Sequence, residues 1–139
     1  MAKNDFFSRP LNNINVVRQN LTAGRIFFDP EAQLNRPLQG TDTESDYFGL
    51  RYTLVPNAGL PYHVPYVYEY GYLTLRDYKN LLLQAKSQPA IMDSRIIDML
   101  GGELVFSYNP LNHAKLRWIY ADMINIYRNT SSLPKAWLV

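Results

Sequence analysis

Cysteine is absent from the 139 residues, which excludes disulfides, thiolate nucleophiles and the usual cysteine-based zinc sites together. Histidine is almost absent, with His63 and His113 the two imidazoles available for acid–base or metal chemistry. No spacing of residues matches a zincin, a nucleophile elbow, a P-loop or a dinucleotide fingerprint. Long apolar runs are also missing. Ile26 to Phe28 and Leu81 to Leu83 fall far short of the roughly 20 residues that cross a bilayer, so no membrane span is expected. Lys3 is followed by a short polar and aromatic mixture rather than the apolar core of a signal peptide. The expected setting is therefore a virion or the cytoplasm, not signal-peptide secretion. Charge of one sign is lacking too: 14 basic residues face 12 acidic ones, a net charge of +2, and neither sign forms a long block. That balance argues against non-specific nucleic-acid binding, which needs a concentrated basic face.

What is present is enough apolar material for one real core, 47% of a chain of single-domain length. Residues 1 to 45 stand apart. They are rich in asparagine, carry Pro10, Pro30 and Pro37, and show no sustained periodicity, so they are expected to form an extended N-terminal arm. Ile14 to Val17 and Arg25 to Phe28 are its best candidates for short strands. Phe6, Phe7, Phe27 and Phe28 are too apolar for a free tail and are expected to dock on this chain or a neighbour.

A core domain is expected over residues 46 to 129, followed by a C-terminal tail over 130 to 139. Within the core, Tyr47 to Val55 reads as a strand and Pro56 to Gly59 as a turn. Thr74 and Asp77 make an imperfect capping box for a helix whose inner face carries Leu75, Tyr78, Leu81, Leu82 and Ala85. A second helix starts at Pro89, buries Met92, Ile96, Ile97, Met99 and Leu100, and ends at Gly101-Gly102 in a left-handed cap. Glu103 to Tyr108 reads as a strand. Residues 113 to 128 show apolar spacing that predicts a third helix, with Leu116, Ile119, Tyr120, Met123, Ile124, Ile126 and Tyr127 inward and Trp118 on the polar side. Pro134 and Trp137-Leu-Val139 are expected to dock in turn. The fold class that follows is α+β, a small antiparallel sheet of two to four strands with about three amphipathic helices and extended ends.

The most distinctive segment runs from Tyr62 to Tyr72. A strand of period two there would project Tyr62, Val64, Tyr66, Tyr68, Tyr70 and Tyr72 from one face. Tyrosine pairs a large apolar ring with a polar tip, which suits a half-wet surface pressed against a partner. Pro61 and Pro65 cannot donate to a ladder, so this strand is expected at a sheet edge, where another chain can be recruited.

Chemistry finds little support. His63 lies among tyrosines with no paired acid nearby in sequence, and His113 sits near the expected helix start. Asp42, Glu44 and Asp46 alternate as calcium loops do. However, Tyr47 occupies the glycine position and Thr53 the bidentate glutamate position, so the match fails. No cofactor and no metal are expected. The preferred expectation is a non-enzymatic structural or assembly subunit of a large complex, with a phage head, neck or tail piece as its kind. It would bind other protein subunits through Tyr62, Tyr66, Tyr68, Tyr70, Tyr72, Trp118, Phe6, Phe7, Phe27, Phe28 and Trp137. The alternatives are a nucleic-acid-binding module that stacks bases on the tyrosine face and a small enzyme using His63.

Overall fold

The computed structural model describes residues 11–29, 49, 51–54, 56, 58, 60–67, 76–86 and 91–134. The fold is α+β. Its described elements, in chain order, are α1 (Asn12–Asn20), β1 (Arg25–Phe28), α2 (Arg76–Lys86), α3 (Arg95–Met99), β2 (Gly102–Ser107), β3 (Leu116–Asp122) and β4 (Ile124–Asn129). The four strands make one sheet in the order β1-β2-β4-β3. β1 runs parallel to β2, and the pairings of β4 with β2 and with β3 are antiparallel, so the sheet is mixed rather than purely antiparallel.

The pleat of the central strands divides the core in two. Ile26, Phe28, Leu104, Phe106, Ile124 and Ile126 join a first cluster with Leu11, Ile14 and Val17 and with Tyr52, Leu54, Val64 and Tyr66. Phe27, Val105 and Tyr127 join a second with Val67, Met92 and Ile97. Within the first cluster the Phe28 ring meets Tyr108 edge-on at 5.9 Å, a geometry aromatic quadrupoles favour.

α1 is a helix where a strand was expected. Leu11, Ile14 and Val17 recur every three residues, which turns all three onto the sheet, while Asn15, Arg18 and Gln19 face out. The β-branched content of Ile14 to Val17 thus yields to tertiary packing.

Residues 116 to 128 differ more sharply. They form the β3–β4 hairpin, not a helix, reversing at Met123 with φ of 59°. Arg25 and Ile26 of β1 face Gly102 and Leu104, which leaves Glu103 as the extra residue of a bulge. In β3 the same kind of shift leaves Ile119 extra, between Trp118 opposite Tyr127 and Tyr120 opposite Ile126.

Gly49 and residues 51–54 also depart from the expected strand. Thr53 N–H donates to Gly49 C=O at 2.9 Å and Leu54 N–H to Arg51 C=O at 3.2 Å, the pattern of a single helical turn. The turn closes at Leu54 with φ of 53°. α3 is capped by Ser94, whose hydroxyl oxygen accepts from Ile96 N–H at 3.1 Å. It is followed by Gly101 with φ of 75°, the left-handed cap that the glycine pair predicts.

Candidate protein-interaction surface

Five of the expected contact residues fall on described positions, and the structure distributes them among three environments. Phe6, Phe7, Tyr68, Tyr70, Tyr72 and Trp137 lie outside the described residues, as does the acidic run around Asp42, Glu44 and Asp46.

Phe27 and Phe28 are buried in their own chain, on opposite faces of β1. Truncating a buried phenylalanine costs about 3–5 kcal/mol, so these two rings belong to the stability of the domain.

Tyr62 and Tyr66 do not stand in one strand face. Residues Leu60–Tyr62 form a 3-10 turn, and His63 takes φ of 57°, which turns the chain between the two tyrosines. Pro61 and Pro65 make a continuous ladder impossible there. Tyr66 pairs with Ile26 as a single parallel bridge, is 6% exposed, and donates its hydroxyl to Leu54 C=O at 3.1 Å. Tyr62 is half-buried, and its hydroxyl accepts from Arg51 Nε at 2.9 Å and from the second guanidinium nitrogen. Tyrosine hydroxyls therefore pin the Gly49–Leu54 turn to the core. Tyr108 adds a bond to Thr53 Oγ1 at 3.0 Å and Tyr52 one to the Asp122 carboxylate. Burial, together with the hydrogen bond and the charge of Asp122, pushes the Tyr52 hydroxyl up to about 12.

Trp118 is different: it is 60% exposed on β3, one of the two outer strands. Other large apolar side chains are also open to solvent: Leu83 at 54%, Met99 at 50%, Met123 at 61%, and Leu81 and Leu133 at 40% each. Five of these six lie on or beside elements that build the second core cluster. Leu81 and Leu83 flank Leu82, which packs on that cluster. Met99 belongs to α3, whose Ile97 is in it. Trp118 stands opposite Tyr127, a member of it. Leu133 N–H is tied to Asp98 C=O at 2.9 Å beside α3.

Among the described residues this face is covered by Leu82 of α2 and by Met92, Ile96, Ile97 and Leu100 in and beside α3. α2 turns Tyr78 and Leu82 partly inward, yet Leu81 and Leu83 project to either side of Leu82. An 11-residue helix draws its stability from packing rather than propensity. The expected inner position of Leu81 is thus an outer one.

Two polar nodes tie the elements together. Asp98 receives Lys115 Nζ at 2.8 Å and Asn129 Nδ2 at 2.7 Å, and Lys115 Nζ reaches Met92 C=O at 3.0 Å. Glu103 accepts from Gly24 N–H at 2.7 Å, from the Thr22 hydroxyl at 2.8 Å and from Thr22 N–H at 3.1 Å, with Arg128 at 3.3 Å. Burial opposes its charge, but the Thr22 and Gly24 donors and Arg128 prevail and hold the carboxyl below its ordinary value. Nothing in the sequence singled out Glu103; its significance arises from the bulge that turns it toward the α1–β1 connection.

His113 Nδ1 accepts from Lys115 N–H at 3.2 Å, so the neutral ring carries its proton on Nε2, which donates to Asp93 Oδ1 at 2.8 Å. Both nitrogens are occupied. His63 is exposed and is paired with no carboxylate among the described residues. No group of three or more His, Asp or Glu placed to hold a metal ion occurs among the described residues, and no described helix is long and apolar enough to cross a membrane.

No family model, curated protein or solved structure matches the chain.

Proposed function

We propose that the protein is a non-enzymatic structural or assembly subunit, which binds other protein chains through the apolar rim of its second core cluster. The observation that carries this reading is that exposed Leu81, Leu83, Met99, Trp118 and Leu133 lie on or beside the elements that build one cluster, while the first cluster is covered by α1 and by Tyr52, Leu54, Val64 and Tyr66. Single exposed apolar residues are ordinary; several gathered on one side mark a contact surface. Tryptophan and methionine are also residue types enriched at protein interfaces.

Position-specific photo-crosslinking tests it. A photoreactive amino acid at Leu83 or Met99, in the chain expressed in its native cells, should give a discrete higher-mass adduct. The same group at Gln19, exposed on the outer side of α1 over the first cluster, should not. Equal or absent adducts at all three positions would sink the reading.

A further inference from the structure

The two outer strands of the sheet are treated differently. On β1, the outer edge is closed by the chain itself: Ile26 N–H donates to Pro65 C=O at 2.8 Å, and Ile26 C=O accepts from Val67 N–H at 2.8 Å. On β3, no described segment lies along the outer edge. Thr130 N–H bonds Lys115 C=O, and hydrogen-bonded pairs alternate along an antiparallel ladder. The N–H and C=O of Trp118 therefore point away from β4. Edges are commonly protected by a bulge and a charge, and β3 has both, at Ile119 and Arg117. The indole between them is not a protective device, since it is the bulkiest apolar side chain exposed among the described residues.

Charge narrows the occupant. Arg117 is exposed and has no ion-pair partner among the described residues. Across the ladder it faces Arg128, which is already paired with Glu103. The one acid of β3, Asp122, is held by the Tyr52 hydroxyl. Two copies of β3 paired edge to edge would offer Arg117 no acid of β3 but Asp122, which already accepts from the Tyr52 hydroxyl, so self-pairing leaves both arginines uncompensated. We propose that β3 receives an extended segment of a partner protein as a fifth strand. That segment carries an acidic side chain on the face of Arg117 and an apolar one on the face of Trp118. This rests on the assembly reading above and names the chemistry of the partner. Main-chain pairing would supply affinity, and the two side-chain faces specificity.

The test is an NMR titration of the isotope-labelled full chain with acetyl-(Val-Glu)4-amide. Shifts centred on the amides of residues 116 to 122 are expected, with binding about tenfold tighter than that of acetyl-(Val-Lys)4-amide. Arg117→Glu, an exposed substitution that leaves the core intact, should reverse the preference. A glutamate peptide N-methylated at alternate amides should lose binding, because the ladder needs those donors. Shifts confined to other elements, indifference to N-methylation, or tighter binding of a ten-residue oligothymidylate at Trp118 would overturn strand addition. If Leu83 and Met99 crosslink while β3 stays silent to every peptide, this proposal fails and the assembly reading stands; if the rim is silent as well, both fail.

Discussion

Gly24 lies so close to Glu103 that a Cβ on the glycine would sit 2.3 Å from the glutamate Cβ and 2.9 Å from Gly101 C=O, while its N–H donates to the same carboxylate at 2.7 Å. The α1–β1 connection is thus pressed onto the β2 bulge, and neither the Cβ nor the carbonyl can yield as a flexible side-chain tip would. Gly24→Ala is expected to lower stability by about 3 kcal/mol. Gly49→Ala makes the control, because among the described residues a Cβ there would meet only Met123 Cε at 3.8 Å, and should stay within about 0.5 kcal/mol of the parent. Urea unfolding of both variants checks the contrast.

The Glu103 carboxylate should also make stability depend on acid. Its folded pKa is lowered by the Thr22 and Gly24 donors and Arg128 against the cost of burial. The stabilisation is therefore complete above the unfolded value of about 4.3 and is lost as pH falls through the lower folded value. Glu103→Gln keeps the shape but gives up the charge-assisted bonds, and should cost about 2 kcal/mol at neutral pH. The two proteins should converge as pH falls below about 4. A constant gap down to pH 2, measured by denaturant unfolding, would show that the carboxylate charge contributes nothing.

The elements legible in the sequence are those whose pattern and packing agree. Arg25 to Phe28 and Glu103 to Tyr108 read as strands and form β1 and β2 to within a residue or two at each end. The amphipathic stretch around Leu82 and the Gly101-Gly102 stop likewise appear as α2 and the cap after α3. The β3–β4 hairpin was hidden because Leu116, Ile119, Tyr120, Met123, Ile124 and Tyr127 also fit a helical stripe, and the reversal falls on methionine, which carries no turn signal. Its aromatic and β-branched content, Trp118-Ile-Tyr120 and Ile124-Asn-Ile126, was the available clue. The tyrosine repeat misled in the opposite direction. Regular spacing suggested one face, but Pro61, Pro65 and the left-handed His63 divide the described part into a turn and a single bridge. Helical spacing places Trp118 outward, and it is exposed, but on a strand edge rather than on a helix.

Tyr52 predicts an alkaline limit to stability. Its hydroxyl, raised by burial and by Asp122 to about 12, must be protonated to donate to that carboxylate. The contribution is whole below the unfolded value of about 10 and is lost as pH rises toward 12. Tyr52→Phe should cost about 1 kcal/mol at pH 8, and the gap from the parent should shrink between pH 10 and 12. Thermal unfolding across that range decides it; a gap that widens with pH would mean that the Tyr52–Asp122 bond is not a source of stability.

Met123 turns the β3–β4 hairpin with φ of 59°, a region that costs a residue with a Cβ roughly 1 kcal/mol. The side chain is 61% exposed, so little packing offsets that cost. Asp122 and Ile124 face each other on either side of it, leaving no loop into which the strain could spread. Met123→Gly removes the Cβ penalty while adding unfolded-chain entropy, and a net gain of about 0.5 kcal/mol is expected. Met123→Val should lose about 1 kcal/mol, because branching at Cβ makes the left-handed region harder to reach. The two variants expose similar backbone but move stability in opposite directions, which separates strain at the turn from loss of the methionine side chain. A fall in urea midpoint for both would assign the effect to contacts of that side chain instead.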